Sequence, residues 1–149
     1  MRNTSLSLLL LMLMAACGTS EEKGTLTLSE NMQRLTNGEY KDWQLQKATY
    51  YKIDVSSQLP ECQRDEIFRF YADGKGEVRS GTVACTASEP EVQATGRWEL
   101  NSTGDTMLVE WKQKTKWQIA INKLEPDQLV TTGEVFDNYE VTATFSPLN

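Results

Sequence analysis

From Trp43 to the end of the chain no helical period persists. Apolar residues instead alternate with polar ones in short runs. "TMLVEW" sets Met107, Val109 and Trp111 against Leu108 and Glu110. "KWQIAINKL" sets Trp117, Ile119 and Ile121 against Gln118, Ala120 and Asn122. "YEVTATFSP" carries Tyr139, Val141, Ala143 and Phe145 in strict alternation. Residues two apart on a strand share a face, so each run offers one apolar side. Weaker forms of the pattern occur in "WQLQKATYYKIDV", "DEIFRFYADG", "GEVRSGTVA", "TGRWEL" and "DQLVTTGEV", which makes eight segments. Turn signals separate them at Asp73-Gly74, Asn101 to Asp105, Glu125-Pro126-Asp127 and Asp137-Asn138. Eight one-sided strands in sequence predict an antiparallel meander with a shared interior, and closing the sheet removes its exposed edges. The expected fold is therefore all-β, an eight-stranded antiparallel up-and-down barrel. Its first and last strands should pair, bringing Trp43 near Phe145. Ahead of it, "SENMQRLTNG" predicts a short N-terminal helix capped by Ser29, with Met32 and Leu35 on one face and Gly38 at its end.

The N terminus follows another rule. Leu6 to Cys17 is an apolar run of 12 residues, too short for the roughly 20 that cross a bilayer. Arg2 precedes it and Ala15-Ala16 close it, as in a secretory signal. The expected organisation is a signal at 1–16, a polar tether at 17–28 and a single domain at 29–149. Removing residues 1–16 leaves 133 and takes Arg2 away, moving the net charge from −6 to −7. An acidic surface disfavours nucleic acid as a partner.

Two cysteines remain beyond Cys17, and an even pair in an oxidising compartment reads as a disulfide between Cys62 and Cys85. A two-residue turn at Asp73-Gly74 would set them directly opposite each other on one hairpin. The apolar pattern prefers Phe70 opposite Val78, which calls for a three-residue loop with Gly76 in a bulge. Either register leaves them close enough to bridge, and the closed loop contributes about 3 kcal/mol on the chain-entropy account.

Met14-Ala15-Ala16-Cys17 resembles the lipobox of bacterial lipoprotein signals. The resemblance implies cleavage before Cys17, lipidation of its thiol, further acylation such as palmitate at its amine, and membrane attachment through Cys17. "GTSEEKG" resembles the tags by which one group of gram-negative bacteria direct lipoproteins outward, implying the outer membrane and surface display. Over residues 35–147, "CQRDEIFRFYADGKGEVRSGTVAC", "GRWELN", "TMLVEW", "WQIAINKLEPDQLV" and "YEVTATFSP" together resemble the lipocalin-like domains of small bacterial lipoproteins. The residues that carry this resemblance are Trp43, Cys62, Asp65-Glu66, Phe70, Asp73-Gly74, Cys85, Gly96, Trp98, Tyr139 and Phe145.

The chemistry-bearing residues are few. There is no histidine, which removes the commonest general base and metal ligand together, and no metal spacing or phosphate loop stands out. No cofactor and no catalytic group is assigned. Asp65 and Glu66 are adjacent and should face opposite sides of a strand, so they read as solvated charge beside the disulfide rather than a dyad. Lys112, Lys114 and Lys116 read as turn guards between Trp111 and Trp117. Trp43, Phe68, Phe70, Trp98, Trp117 and Phe145 all point inward by parity, either lining a pocket or filling the core. Eight-stranded barrels are just wide enough for side chains to fill them, so a filled interior is the leading expectation for these six. The functional expectation is a non-catalytic module binding a small apolar or amphipathic molecule. A filled barrel would instead point to a protein-interaction or inhibitor module acting through its loops.

Overall fold

Thr27 is the cap of helix α1 (Leu28–Thr36). Its hydroxyl accepts the Glu30 N–H at 3.2 Å, and its own N–H donates to the Glu30 carboxylate at 2.7 Å. This reciprocal box satisfies two of the donors a helix start leaves unpaired, so Thr27, not Ser29, is the cap. Asn37 in a left-handed conformation (φ 53°) and Gly38 (φ 84°) end the helix. The structure is a computed structural model that describes residues 27–111, 116–135 and 139–148.

After α1 come β1 (Tyr40–Tyr50), the two-residue β2 (Ile53–Asp54), a 3₁₀ turn (Ser56–Gln58) and α2 (Glu61–Arg64). They are followed by β3 (Ile67–Tyr71), β4 (Lys75–Arg79), β5 (Val92–Leu100), β6 (Thr106–Trp111), β7 (Lys116–Glu125), β8 (Gln128–Val135) and β9 (Tyr139–Pro147). Every strand from β3 onward pairs antiparallel with the next, and β9 returns to β1, so eight strands close an up-and-down barrel. β1 makes closure possible. Residues 40–44 pair with β3 and residues 43–50 pair with β9, with a bulge between Leu45 and Lys47. Further bulges break β4–β5 and β7–β8, bending the sheet where a regular ladder would stay open. Across the seam Leu45 faces Phe145 and Trp43 faces Pro147, so Trp43 and Phe145 lie on neighbouring strands two ladder positions apart. Among the described residues every strand pairing, both α-helices and the disulfide lie within residues 27–148, and the barrel closes within them.

The β3–β4 hairpin corrects both expected registers. Phe68 faces Val78 and Phe70 faces Gly76. The loop is Ala72-Asp73-Gly74, and Gly74, not Gly76, takes the positive φ of 83°. "GTVA" does not extend β4 either. The Val83 N–H donates to the Asp65 carboxylate at 2.7 Å, which draws this segment into a loop.

One end of the barrel is plugged. α1 lies across it, with the Asn31 amide donating to Gly104 O at 3.1 Å and the Arg34 guanidinium to Leu124 O at 3.0 Å. Leu35 is 0% exposed beneath it, as is Trp43, whose indole N–H donates to Leu35 O at 3.0 Å. Leu124, Leu129, Met107 and Trp98 complete this core. At mid-height Trp111 packs over Gly96. A Cβ there would stand 2.4 Å from Glu110 O and 2.7 Å from the indole, so only glycine lets the ring lie down.

Candidate functional site

Above the plug the interior is not filled. A cavity of about 1180 Å³ runs from Trp43, Phe70 and Leu129 at the floor to Tyr50, Tyr139 and Val141 at the rim. The expectation of a filled barrel fails for a visible reason. The inward positions that face the aromatics are small: Ala48, Ala94, Ala143, Gly133 and Thr131 all line the cavity. Alternation told which residues point inward, but the sum of their volumes decides whether space remains.

Of the six aromatics singled out, Trp43, Phe68, Phe70, Trp117 and Phe145 line the cavity. Phe68 and Phe145 meet edge-on at 5.6 Å across the interior. Trp98 does not reach the cavity. It is buried behind Phe70, 5.6 Å ring to ring, with its N–H on Lys75 O at 3.0 Å. Trp111, absent from the six, lines the wall beside Trp117, 6.5 Å between ring centres. The inward parity of "TMLVEW" already implied it.

The open end carries a lid built from the long β1–β3 connection. Val55, Gln58, Leu59 and Gln63 project from it over the cavity. Besides the short β1–β2 ladder, three attachments hold it. The Ser56 hydroxyl accepts the Ala48 N–H at 2.9 Å, and the Val55 N–H donates to Ala48 O at 2.9 Å. Asp65 gathers the Gln44 amide (2.9 Å), the Thr82 hydroxyl (3.0 Å) and the Val83 N–H (2.7 Å). Burial works against the Asp65 charge, but these hydrogen bonds outweigh it and hold the carboxyl below its usual range. The disulfide Cys62–Cys85 is the third. It ties α2 to the loop after β4, so the two cysteines bridge lid and loop rather than opposite strands of a hairpin. Cys17, Lys112 and Lys114 lie outside the described residues. Lys116 pairs with Glu110 at 3.3 Å on the exposed face.

Glu66 departs from its expected role as solvated charge. It does face away from Asp65, but toward the cavity, beside Gln63 and Gln93. Gln93 gets there through the β4–β5 bulge. Arg79 pairs with Val92 and Val78 with Ala94, so Val92, Gln93 and Ala94 all reach the cavity where strict alternation would turn Gln93 outward. Burial pushes the Glu66 carboxyl above its ordinary range, the Glu89 carboxylate pushes it further, and the Gln93 amide partly offsets both.

No protein-family model, curated protein or solved structure matches this chain. Its functional reading therefore rests on the cavity itself. Ligand pockets commonly occupy about 300–1,000 Å³, with apolar walls and a few placed polar groups. This interior lies slightly above that range and fits the rest of the description, with mostly aromatic and aliphatic walls and a few polar groups, among them Glu66, Gln93 and Thr131. Among the described residues no three acidic or cysteine side chains converge as metal ligands. Beside the rim, Tyr51 is 81% and Ile53 64% exposed, on a turn whose Tyr51 and Lys52 both adopt positive φ.

Proposed function

We propose that this protein is a non-catalytic binding module for a small apolar or amphipathic molecule, resembling the lipocalin-like domains of bacterial lipoproteins and held at the outer membrane through lipidated Cys17. The observation that carries the binding reading is the cavity of about 1180 Å³ with its plugged floor and lidded rim. Water in such a space gains little hydrogen bonding from the walls, so an apolar guest is favoured in its place. The resemblance at Met14-Ala15-Ala16-Cys17 supports the anchor, and "GTSEEKG" supports surface display.

The test is saturable binding of N-phenyl-1-naphthylamine, a neutral dye that brightens in apolar surroundings, to residues 27–149. We expect one dye per barrel, with energy transfer from the tryptophans. Trp117→Ala should alter dye affinity while costing less stability than truncation of the fully buried Trp43. If the folded domain fails to bind the dye, the pocket reading falls. The exposed Tyr51 and Ile53 then favour the second reading, a protein-interaction module working through its rim. For the anchor, Cys17→Ser should release the protein from membranes, and protease treatment of intact cells should cut a surface-displayed domain.

A further inference from the structure

The polar groups of the cavity are unevenly signed. Among the described residues that line it, Glu66 and Glu134 are acidic, Gln58, Gln63 and Gln93 are amides, and none is Lys or Arg. Glu66 is the more enclosed of the two carboxylates. It sits where the chain leaves α2 and enters β3, covered by the lid on one side and flanked by the bulged Gln93 on the other. The Gln93 amide is held by a hydrogen bond to the Ser80 hydroxyl at 3.3 Å. The groups acting on Glu66 are its burial, the like charge of Glu89 and the Gln93 amide, and none of them is a cation. No salt bridge reaches it among the described residues.

A carboxylate taken from water without a cationic partner is unfavourable where it stands. The rest of the barrel shows the contrast. On the outer wall Asp42 is met by both guanidinium arms of Arg69 at 2.6 Å, and Glu77 is met by Lys75 and Arg79 at 2.7 and 2.8 Å. Asp42 and Glu77 on the wall are thus met by cations, whereas neither cavity carboxylate is in a salt bridge among the described residues, and Glu66, the more enclosed of the two, is left without one. A guest with a cationic end would complete it.

We infer that the barrel selects an amphiphile whose apolar body fills the aromatic cavity and whose polar end is a protonated amine or similar cation placed against Glu66, with Gln63 and Gln93 beside it. This rests on the binding reading and gives it a chemical class. It disfavours fatty acids, whose carboxylate would stand against Glu66 with no positive side chain among the described lining residues to receive it. Charge-assisted hydrogen bonds of this kind change affinity by roughly 10–100-fold.

The experiment is displacement of N-phenyl-1-naphthylamine from residues 27–149 by three probes sharing a tail, dodecylamine, dodecanol and dodecanoate. All are used below their micelle concentrations, at pH 7.4 in 150 mM salt, which limits attraction by net charge alone. The expected result is that dodecylamine displaces at a concentration at least tenfold below dodecanoate. Glu66→Gln should bring dodecylamine to within about twofold of dodecanol and leave dodecanol unchanged, while Glu134→Gln preserves the amine preference. The inference is overturned, with cavity binding intact, if dodecanoate matches the amine or if the preference survives Glu66→Gln. Failure of the dye and all three probes to bind would remove the binding reading and this inference with it.

Discussion

Replacing Trp43 with alanine removes the side chain on which floor and seam both depend. Its ring is 0% exposed at the base of the cavity, on the one strand that pairs with both β3 and β9. Two effects add. Truncating a buried tryptophan costs about 3–5 kcal/mol, because neighbours relax only partly into the space. The neighbouring cavity gives them still less to close upon. The second effect concerns the Leu35 carbonyl, one of those a helix end leaves without an intrahelical partner. It receives the Trp43 indole N–H at 3.0 Å, and leaving it unpaired adds about 1–3 kcal/mol. The total, about 4–8 kcal/mol, is comparable with the whole stability of many domains of this size. Trp43→Phe separates the two effects, since it keeps most of the volume and loses only the donor. Urea unfolding of residues 27–149 followed by far-UV circular dichroism measures both. We expect Trp43→Ala to be largely unfolded at 37 °C and Trp43→Phe to lose about 1–3 kcal/mol. A loss under 2 kcal/mol for Trp43→Ala, or equal losses for the two variants, would refute the account of the floor.

Glu66→Gln should stabilise the unliganded domain at neutral pH. The folded carboxyl sits above its ordinary value of 4.5, so its contribution is full below that value and is lost as pH rises through the folded one. The melting temperature of the variant should exceed the parent's at pH 7 and meet it near pH 4; a lower melting temperature at pH 7 counts against an unpaired carboxylate. Reducing Cys62–Cys85, or replacing both with serine, should cost about 3 kcal/mol in urea unfolding and weaken dye binding, because the bond ties the lid to the loop after β4; unchanged dye affinity would show the lid is held without it. Gly96→Ala sets a methyl 2.4 Å from Glu110 O and should cost about 1–3 kcal/mol, with a shift in tryptophan emission as Trp111 is displaced; a silent substitution would mean that Trp111 does not need that close approach.

Strand identity and facing were legible because period-2 alternation survives in a one-sided sheet. Met107, Val109 and Trp111, or Tyr139 through Phe145, carry enough contrast to fix parity without any tertiary information. Closure was legible from the same fact, since eight apolar faces need one interior. The bulges were not. Gln93 and Ala94 look like an ordinary polar–apolar pair, and only the slip between Arg79–Val92 and Val78–Ala94 turns both toward the cavity. The lid was lost for a related reason. "SSQLPECQR" has no period at all, and its shape comes from contacts made by Ser56, Asp65 and Cys62 with residues distant in sequence. The cysteine pairing was legible from their number, although the hairpin geometry invoked for it was not the one that forms. Cavity volume depends on many small inward residues at once, so no single motif could announce it.

The seam between β1 and β9 also sets the order of events as the chain folds. β1 is made early, yet its second half finds its partner only when residues 141–147 arrive at the far end of the chain. Until then β1 and β8 present unpaired edges, with the apolar interior open between them. Loop closure over so long a separation is slow compared with zipping adjacent hairpins. Until β9 docks, the folding barrel is therefore a curved open sheet, and its vulnerability to edge pairing with other chains ends with that pairing. A chain shortened by one strand at its C terminus would keep every hairpin from β3 to β8 and still never leave that exposed state.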